Sequence, residues 1–483
     1  MEKHLLSKST FIRGVQCNKS LYLHKHRPFL RDRLSPEQLA RFSRGTNVGL
    51  LAQNLFPGGI DCKPGSPRQY AKSLEKTQQI VQEASANVIY EAVFQHQQVL
   101  IMLDVLVHEN GSWNAYEVKS SLKISETFLL DAALQYYVMK GAGLALNKFF
   151  LVHLNPDYVR DSQLDLHQLF TKTDVTDQVL QRQSFIAQKI GELIGVVALT
   201  KSPGIPIGTH CNNPYPCDFI GHCYKNVPAG SVLELTLWSD EEKFAMYYAG
   251  TIALADINNT TELSQAQQIE LHCRQEGREH FDTGGLKDFY NKISDAPVFF
   301  SLLSHRQAVP AWKGYRPYDQ LPLSASFGNG NKNSTFVNDS LDAPDEHFFD
   351  FLQPLIASGK SVVVFDAARF RELLQRMAHR HSKMKSDVET FAARIIDFKE
   401  VFSQMLYYNP HAGQDFSLLQ LSKNLFGNSH LTNVPFASDA LATDRYLKAD
   451  KPMPEATTQM LEGYSYGLQN MTEAFYKYLK EKY

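Results

Sequence analysis

No run in this chain approaches the roughly 18 consecutive apolar residues that a membrane-spanning helix needs. The opening stretch, MEKHLLSKSTFIRG, also lacks the apolar core of a secretory signal. Both absences point to a cytoplasmic protein without a membrane partner. Net charge is small, −2 over 483 residues, so there is no global basic field to attract nucleic acid. Such a contact would have to come from local patches, residues 25–33 (KHRPFLRDR) or 369–385, which otherwise read as solvated surface. Cysteine is scarce as well. Six cysteines in an intracellular chain read as thiols or metal ligands rather than as a disulfide framework. No segment repeats at a solenoid period.

What is present fits a globular α/β protein. A hydrophobic fraction of 43% can fill a sizeable core, and 483 residues suggest more than one domain. The pattern divides into a mixed α/β domain (1–228), a mostly helical connector (229–292) with a turn at Gly250, and a second α/β domain (293–483). In the first domain, residues 1–60 read as helices and loops. Leu50, Leu51 and Leu55 form the expected buried face of a helix entered through Gly45 and Asn47. A polar helix at 70–86 and a strand at 87–95 carrying Glu91 come next. An amphipathic helix is expected at 126–140, a strand at 148–154 and one long helix at 174–199. The second domain reads as strands at 296–303, 321–327 and 334–337, a helix at 344–357, a strand at 361–365, and further helices.

The segment 99–120, VLIMLDVLVHENGSWNAYEVKS, is the most informative. Asn110-Gly111 between two runs of β-formers predicts a hairpin, because a type I′ turn needs positive φ at both central residues. In that register Asp104 lies opposite Glu117, and Lys119 shares their face. Ile101, Leu103, Val105, Tyr116 and Val118 then point to the other face. Opposed carboxylates repel, and a divalent metal is the natural counter-charge. Asp, then Glu-x-Lys on the paired strand, suits metal-dependent phosphodiester hydrolysis: the carboxylates bind Mg²⁺ or Mn²⁺, and Lys119 stabilises developing charge. The plainer reading is an exposed sheet face with ordinary salt bridges.

These residues resemble the PD-(D/E)XK nuclease superfamily in its RecB-like branch, whose core runs helix, three strands, helix, strand. Asp104 matches the second-motif aspartate, and Glu117-Val118-Lys119 matches the E-x-K motif. The resemblance implies a metal held by Asp104, Glu117, the Val118 carbonyl and the upstream acid Glu91. It also implies that Gln135 and Tyr136 pack beside the site and touch DNA. One position departs from the pattern. Where many members place a histidine ligand, in Gly-x-x-x-His, this chain has Gly45-Thr46-Asn47-Val48-Gly49.

Cys211, Cys217 and Cys223 recur with five residues between each pair, a spacing that fits structural zinc poorly. Cys17 is the candidate fourth ligand. In iron–sulfur members of the RecB-like branch, one cysteine precedes the nuclease core and three follow it. The resemblance therefore implies a 4Fe–4S cluster held by Cys17, Cys211, Cys217 and Cys223 that staples the domain's ends. A zinc site or buried free thiols are the alternatives. Cys62 and Cys273 read as small buried residues.

Residues 293–483 resemble, more loosely, the ribonuclease-H-like exonuclease domain that follows a RecB-like nuclease in one bacterial family. Active members would carry Asp-x-Glu on the first strand, but Ser301 and Leu303 stand there. Asp366 and Asp397 are the remaining acids, too few for two-metal exonucleolysis, so an inactive domain that binds nucleic acid or protein is expected. The whole reads as an Mg²⁺- or Mn²⁺-dependent deoxyribonuclease in bacterial repair, recombination or defence. Single-stranded or free-ended DNA is the favoured substrate, with RNA or a helicase as further partners. The competing readings are a catalytically inactive adaptor for nucleic acid or a helicase, and an iron–sulfur sensor.

Overall fold

A computed structural model describes residues 4–35, 38–39, 46–258, 262–330, 332–339, 343–411, 417–427 and 434–482. They form two units, Met1–Asn226 and Val227–Tyr483, both mixed α/β. Among the described residues no helix is long and apolar enough to cross a membrane.

The first unit opens with β1 (Leu6–Ser7), α1 (Lys8–Gln16), α2 (Asn18–His26), α3 (Thr46–Gln53), β2 (Ile60–Asp61) and α4 (Tyr70–Glu83). Then come β3 (Val88–His96), β4 (Val99–Glu109), β5 (Ser112–Lys119), α5 (Glu126–Gly141) and β6 (Leu146–Leu154). It continues with β7 (Phe170–Asp174), α6 (Thr176–Gln181) and α7 (Gln183–Ala198). Strands lie in the order β2-β3-β4-β5-β6-β7, and β1 adds to β4 in parallel. The β4–β5 hairpin forms as the Asn-Gly pair requires: Asn110 and Gly111 have φ of 52° and 77°.

Several elements differ from the sequence reading. Of the helix expected over 174–199, Asp174 instead ends β7 and two helices follow, the first beginning at Thr176, whose N (3.0 Å) and Oγ1 (2.6 Å) both donate to Asp174 Oδ1. α5 is not amphipathic. Residues from Asp131 to Tyr136 are all buried, since the helix packs on the sheet with one side and on α1, α6 and α7 with the other. Among the described side chains of α3, Val48 and Ala52 are buried, with Leu55 just beyond the helix; Leu50, two residues from each of them, falls on the opposite side and faces solvent. Gly45 lies outside the described residues.

The simple two-residue alternation of the hairpin also breaks. Inward-facing positions run Phe94, Ala92, then Ile89 on β3, and Ile101, Leu103, then Leu106 on β4. Both strands slip by one at Glu91 and Asp104, which the β3–β4 pairing skips. Glu91 has a left-handed backbone, φ 51°, and this rotates the strand as a bulge does. Val105 is therefore not on the face of Ile101 and Leu103.

In the second unit, the segment 229–292 is no separate connector: its Leu286, Phe289 and Tyr290 share one core with Phe299 and Leu303. It contains α8 (Asp240–Tyr248), α9 (Gln265–Glu276), β8 (His280–Phe281) and α10 (Thr283–Asn291). Gly250 turns after α8 with φ 95°, but a short 3-10 helix, Leu254–Asp256, comes before α9. The main sheet uses β9 (Val298–Arg306), β10 (Gln320–Asn329), β11 (Lys332–Val337), β12 (Val362–Val364) and β13 (Ile395–Asp397). Between β11 and β12 lies α11 (Pro344–Ala357), and between β12 and β13 lies α12 (Ala368–Arg380). The order is β11-β10-β9-β12-β13, antiparallel over the first three and parallel over the last three. A further strand, β14 (Tyr407–Tyr408), pairs with β8. The final helix, α13 (Glu455–Lys480), bonds to the sheet through Ser301 Oγ to Ser465 O (2.5 Å) and Ser326 Oγ to Gln469 Oε1 (2.6 Å).

Candidate functional site

The acid site is built where β5 leaves β4. Their ladder keeps the predicted register from Glu109↔Ser112 up to Val105↔Tyr116 and stops one pair short of Asp104 and Glu117. Beyond that point β5 keeps only its pairing with β6, which runs from Trp113 to Lys119 and sets Glu117 beside Leu151. Asp104 turns into the opening, and its Oδ2 accepts from Val118 N at 2.7 Å. One carboxylate thus holds the backbone of the E-x-K segment in place.

Glu117 is buried, 3% exposed, and its Oε1 accepts from two ammonium groups, Lys119 Nζ and Lys8 Nζ, each at 2.9 Å. Lys119 Nζ also donates to Asp131 Oδ2 on α5 at 2.6 Å. Burial works against ionising Glu117, but Lys119 and Lys8 outweigh it and hold the carboxyl below its usual range. Asp104 moves the other way, pushed up by burial and then by the charge of Glu117. Two lysines therefore supply counter-charge: Lys119, which the sequence reading placed on this face, and Lys8, which it did not.

The remaining predicted residues divide. Glu91, opposite Asp104 in the β3–β4 register, is held by Lys63 Nζ at 3.0 Å. Gln135 lies one helical turn beyond Asp131 on α5, so the two share a stripe. It is fully buried, and neither its Oε1 nor its Nε2 has a partner. Tyr136 is buried in the hydrophobic core of the unit. Gly49, in the position of the family's histidine, is half-buried in α3, and a side chain there would meet open space.

Among the described residues no three His, Cys, Asp or Glu side chains converge as a ready-made chelate. The donor set nevertheless fits a hard divalent ion. Glu117 Oε2 and Asp131 Oδ1 are buried without hydrogen-bond partners, and a buried carboxylate oxygen without one is costly unless a cation takes it. Mg²⁺ is held by one or two carboxylates and keeps several waters, so two acids and the Val118 carbonyl suffice.

Two residues here escaped the sequence reading. Lys8 is remote in sequence from the hairpin and carries no motif. Asp131 was legible: an acid in the middle of an apolar helix, four residues before Gln135, has to face a partner.

The four predicted cysteines line one cavity, with Ile205, Pro206 and Phe219 among its walls. None of the six cysteines is in a disulfide. Burial pushes the thiols of Cys17, Cys211 and Cys223 up, so they hold their protons until a metal replaces them. An iron–sulfur cluster takes each thiolate at a different iron, which requires cysteines around a cavity rather than at a point. The arrangement fits that group. Protein contacts already bring the segments together. Arg13 and Arg31 both pair with Asp218, and Gln16 Nε2 donates to His210 O (2.8 Å) and Tyr215 O (2.7 Å).

In the second unit Leu303 is a core residue and Ser301 is buried. Asp397 accepts from Ala367 N (3.1 Å) and Lys399 N (3.0 Å), and Asp366, at φ 60°, pairs with Lys399 Nζ (3.0 Å). These two acids organise the ends of β12 and β13. Nor is 369–385 a uniform basic face: Arg380 is buried against Asp319 and Asp345, and Arg376 also reaches Asp319.

Residues 298–417 match a family described as a domain of unknown function, DUF2779. No curated protein matches the chain. The crystal structure of SSO0001 is similar with a TM-score of 0.20 at 11% identity, over 42% of this chain and 79% of that one. So low a score carries no argument about fold or function.

Proposed function

We propose that the first unit is a metal-dependent nuclease that hydrolyses DNA phosphodiester bonds, with single-stranded or free-ended DNA as the favoured substrate. The observation that carries the reading is Glu117: a buried carboxylate beside Asp104 that uses one oxygen for two lysines and leaves the other without a partner. The order α4-β3-β4-β5-α5-β6 supports a RecB-like PD-(D/E)XK core. Asp104, Glu117 and the Val118 carbonyl would hold Mg²⁺ or Mn²⁺, with Glu91 in support. The ion would polarise the scissile phosphate and acidify a water. Lys119, fixed between Glu117 and Asp131, stabilises the charge that develops on the phosphoryl oxygens.

The cavity of Cys17, Cys211, Cys217 and Cys223 would hold a 4Fe–4S cluster whose role is to join α1 and α2 to the loop after α7. The second unit is read as an inactive ribonuclease-H-like domain that binds nucleic acid or protein. Its β11-β10-β9-β12-β13 order supports that reading.

The test is cleavage of labelled single- and double-stranded DNA with Mn²⁺ or Mg²⁺. Asp104→Ala is expected to lower the rate by about a hundredfold or more, as loss of a metal ligand does. Equal cutting by wild type and variant would remove the assignment. Gly49, standing where many members of the resembled family carry a histidine ligand, favours a second reading, an adaptor without activity. It predicts no Mn²⁺ binding at Asp104 in a calorimetric titration.

A further inference from the structure

The acid site contains a cation to which the proposed hydrolysis gives no part. β1 pairs with β4 at Leu6↔Val99 and Ser7↔Leu100, on the edge of β4 that β5 has left. Lys8 comes immediately after, as the first residue of α1, and so arrives in the opening beside Asp104. Its Nζ donates to Glu117 Oε1 at 2.9 Å, and its side chain is 26% exposed, against 17% for Lys119.

The two lysines are not equivalent. Lys119 is held on two sides, by Glu117 and by Asp131 at 2.6 Å. Lys8 bonds to one oxygen that it shares with Lys119, and an ammonium group has three protons to donate.

The charges of the site decide what Lys8 is for. Asp104, Glu117 and Asp131 face Lys8 and Lys119, while Glu91 is neutralised by Lys63. With the three carboxylates ionised, as metal binding requires, the site carries one net negative charge. A divalent ion turns that into one net positive charge, and a single phosphodiester returns it to neutrality. Without Lys8 the metal-loaded site would already be neutral and would have no surplus to attract a phosphate.

The position of Lys8 is also fixed from the other end of its helix. Gly14 lies so close to α7 that an added Cβ would sit 2.6 Å from Leu193 Cδ2, and Arg13 and Gln16 bind the cysteine loop through Asp218, His210 and Tyr215. The ammonium group is held at the mouth of the site and does not have to be ordered by substrate.

We infer that Lys8 is a phosphate-binding residue of this site: on metal loading it exchanges Glu117 for a non-bridging oxygen of the nucleic-acid phosphodiester, while Lys119 stays with Glu117 and Asp131. This deepens the nuclease reading and rests on it for the identity of the substrate.

The test is equilibrium binding of a fluorescein-labelled single-stranded oligonucleotide to the full chain in Ca²⁺, across a range of salt, for wild type, Lys8→Ala and Lys8→Arg. Lys8→Ala is expected to weaken binding about tenfold. It should also reduce the slope of log K against log salt by about 0.7, the value for one phosphate contact on a single strand. Lys8→Arg should restore the slope. In steady-state cleavage the effect should fall mainly on KM. Wild-type affinity and slope in Lys8→Ala would overturn the inference. So would a loss that tracks only a lowered melting temperature, which would make Lys8 a structural anchor for α1. A wild type that binds the strand and shows the Lys8-dependent slope but cuts nothing with Mg²⁺ or Mn²⁺ would remove the nuclease reading alone. A wild type that binds no strand would overturn the assignment of Lys8.

Discussion

Gln135 shows most directly how the acid site conflicts with stability. It is fully buried on α5, one turn from Asp131, and both amide atoms lack partners. Such a group costs about 1–3 kcal/mol relative to an apolar residue of similar size. Gln135→Leu is therefore expected to raise the urea midpoint of the first unit while lowering DNA cleavage, the trade expected at a functional position. A variant no more stable than wild type would show that the amide is satisfied. The sequence marks Gln135 but not the reason for it, since an unsatisfied amide exists only once the helix is buried on all sides. Lys8 was illegible for a different cause: its partner Glu117 is 109 positions away, and no local pattern encodes such a pairing.

At the scale of elements, hairpin and helix caps obey local chemistry, while the ties between elements do not. The start of α11 and the end of α12 are joined by a buried cluster. Asp345 accepts from Arg380 Nε at 2.7 Å, from His381 Nε2 at 2.9 Å and from Tyr315 OH at 2.6 Å. The hydrogen bond to Asp345 raises the pKa of His381 above 6.5. A raised folded-state pKa means the imidazolium stabilises the native state fully below the unfolded value, and the contribution fades as pH rises through the folded one. His381→Gln is expected to lower the urea midpoint of the second unit near pH 5.5, with a difference that shrinks by about pH 9. A difference that grows with pH would mean that a neutral imidazole makes the contact.

For the molecule as a whole, the two units carry separate cores, so thermal unfolding is expected in two transitions. If the cysteine cavity holds a cluster, Cys217→Ser should abolish bound iron and move only the transition of Met1–Asn226. Movement of both transitions would show that the units unfold as one. By itself the sequence determined the strands β3, β4 and β5, the Asn110-Gly111 turn and the register from Glu109↔Ser112 to Val105↔Tyr116, whereas Cys17 joins Cys211, Cys217 and Cys223 only through the family resemblance. Strands, turn and register are written in side-chain period and turn chemistry along a short stretch. Only the tertiary structure decided that Glu91 and Asp104 break the alternation, that β1 carries Lys8 into the opening between β4 and β5, and that Asp131 locks Lys119. Those outcomes depend on how remote segments share one sheet edge and how much water they exclude. A buried charge takes whatever partner the fold brings to it, however far away in the chain.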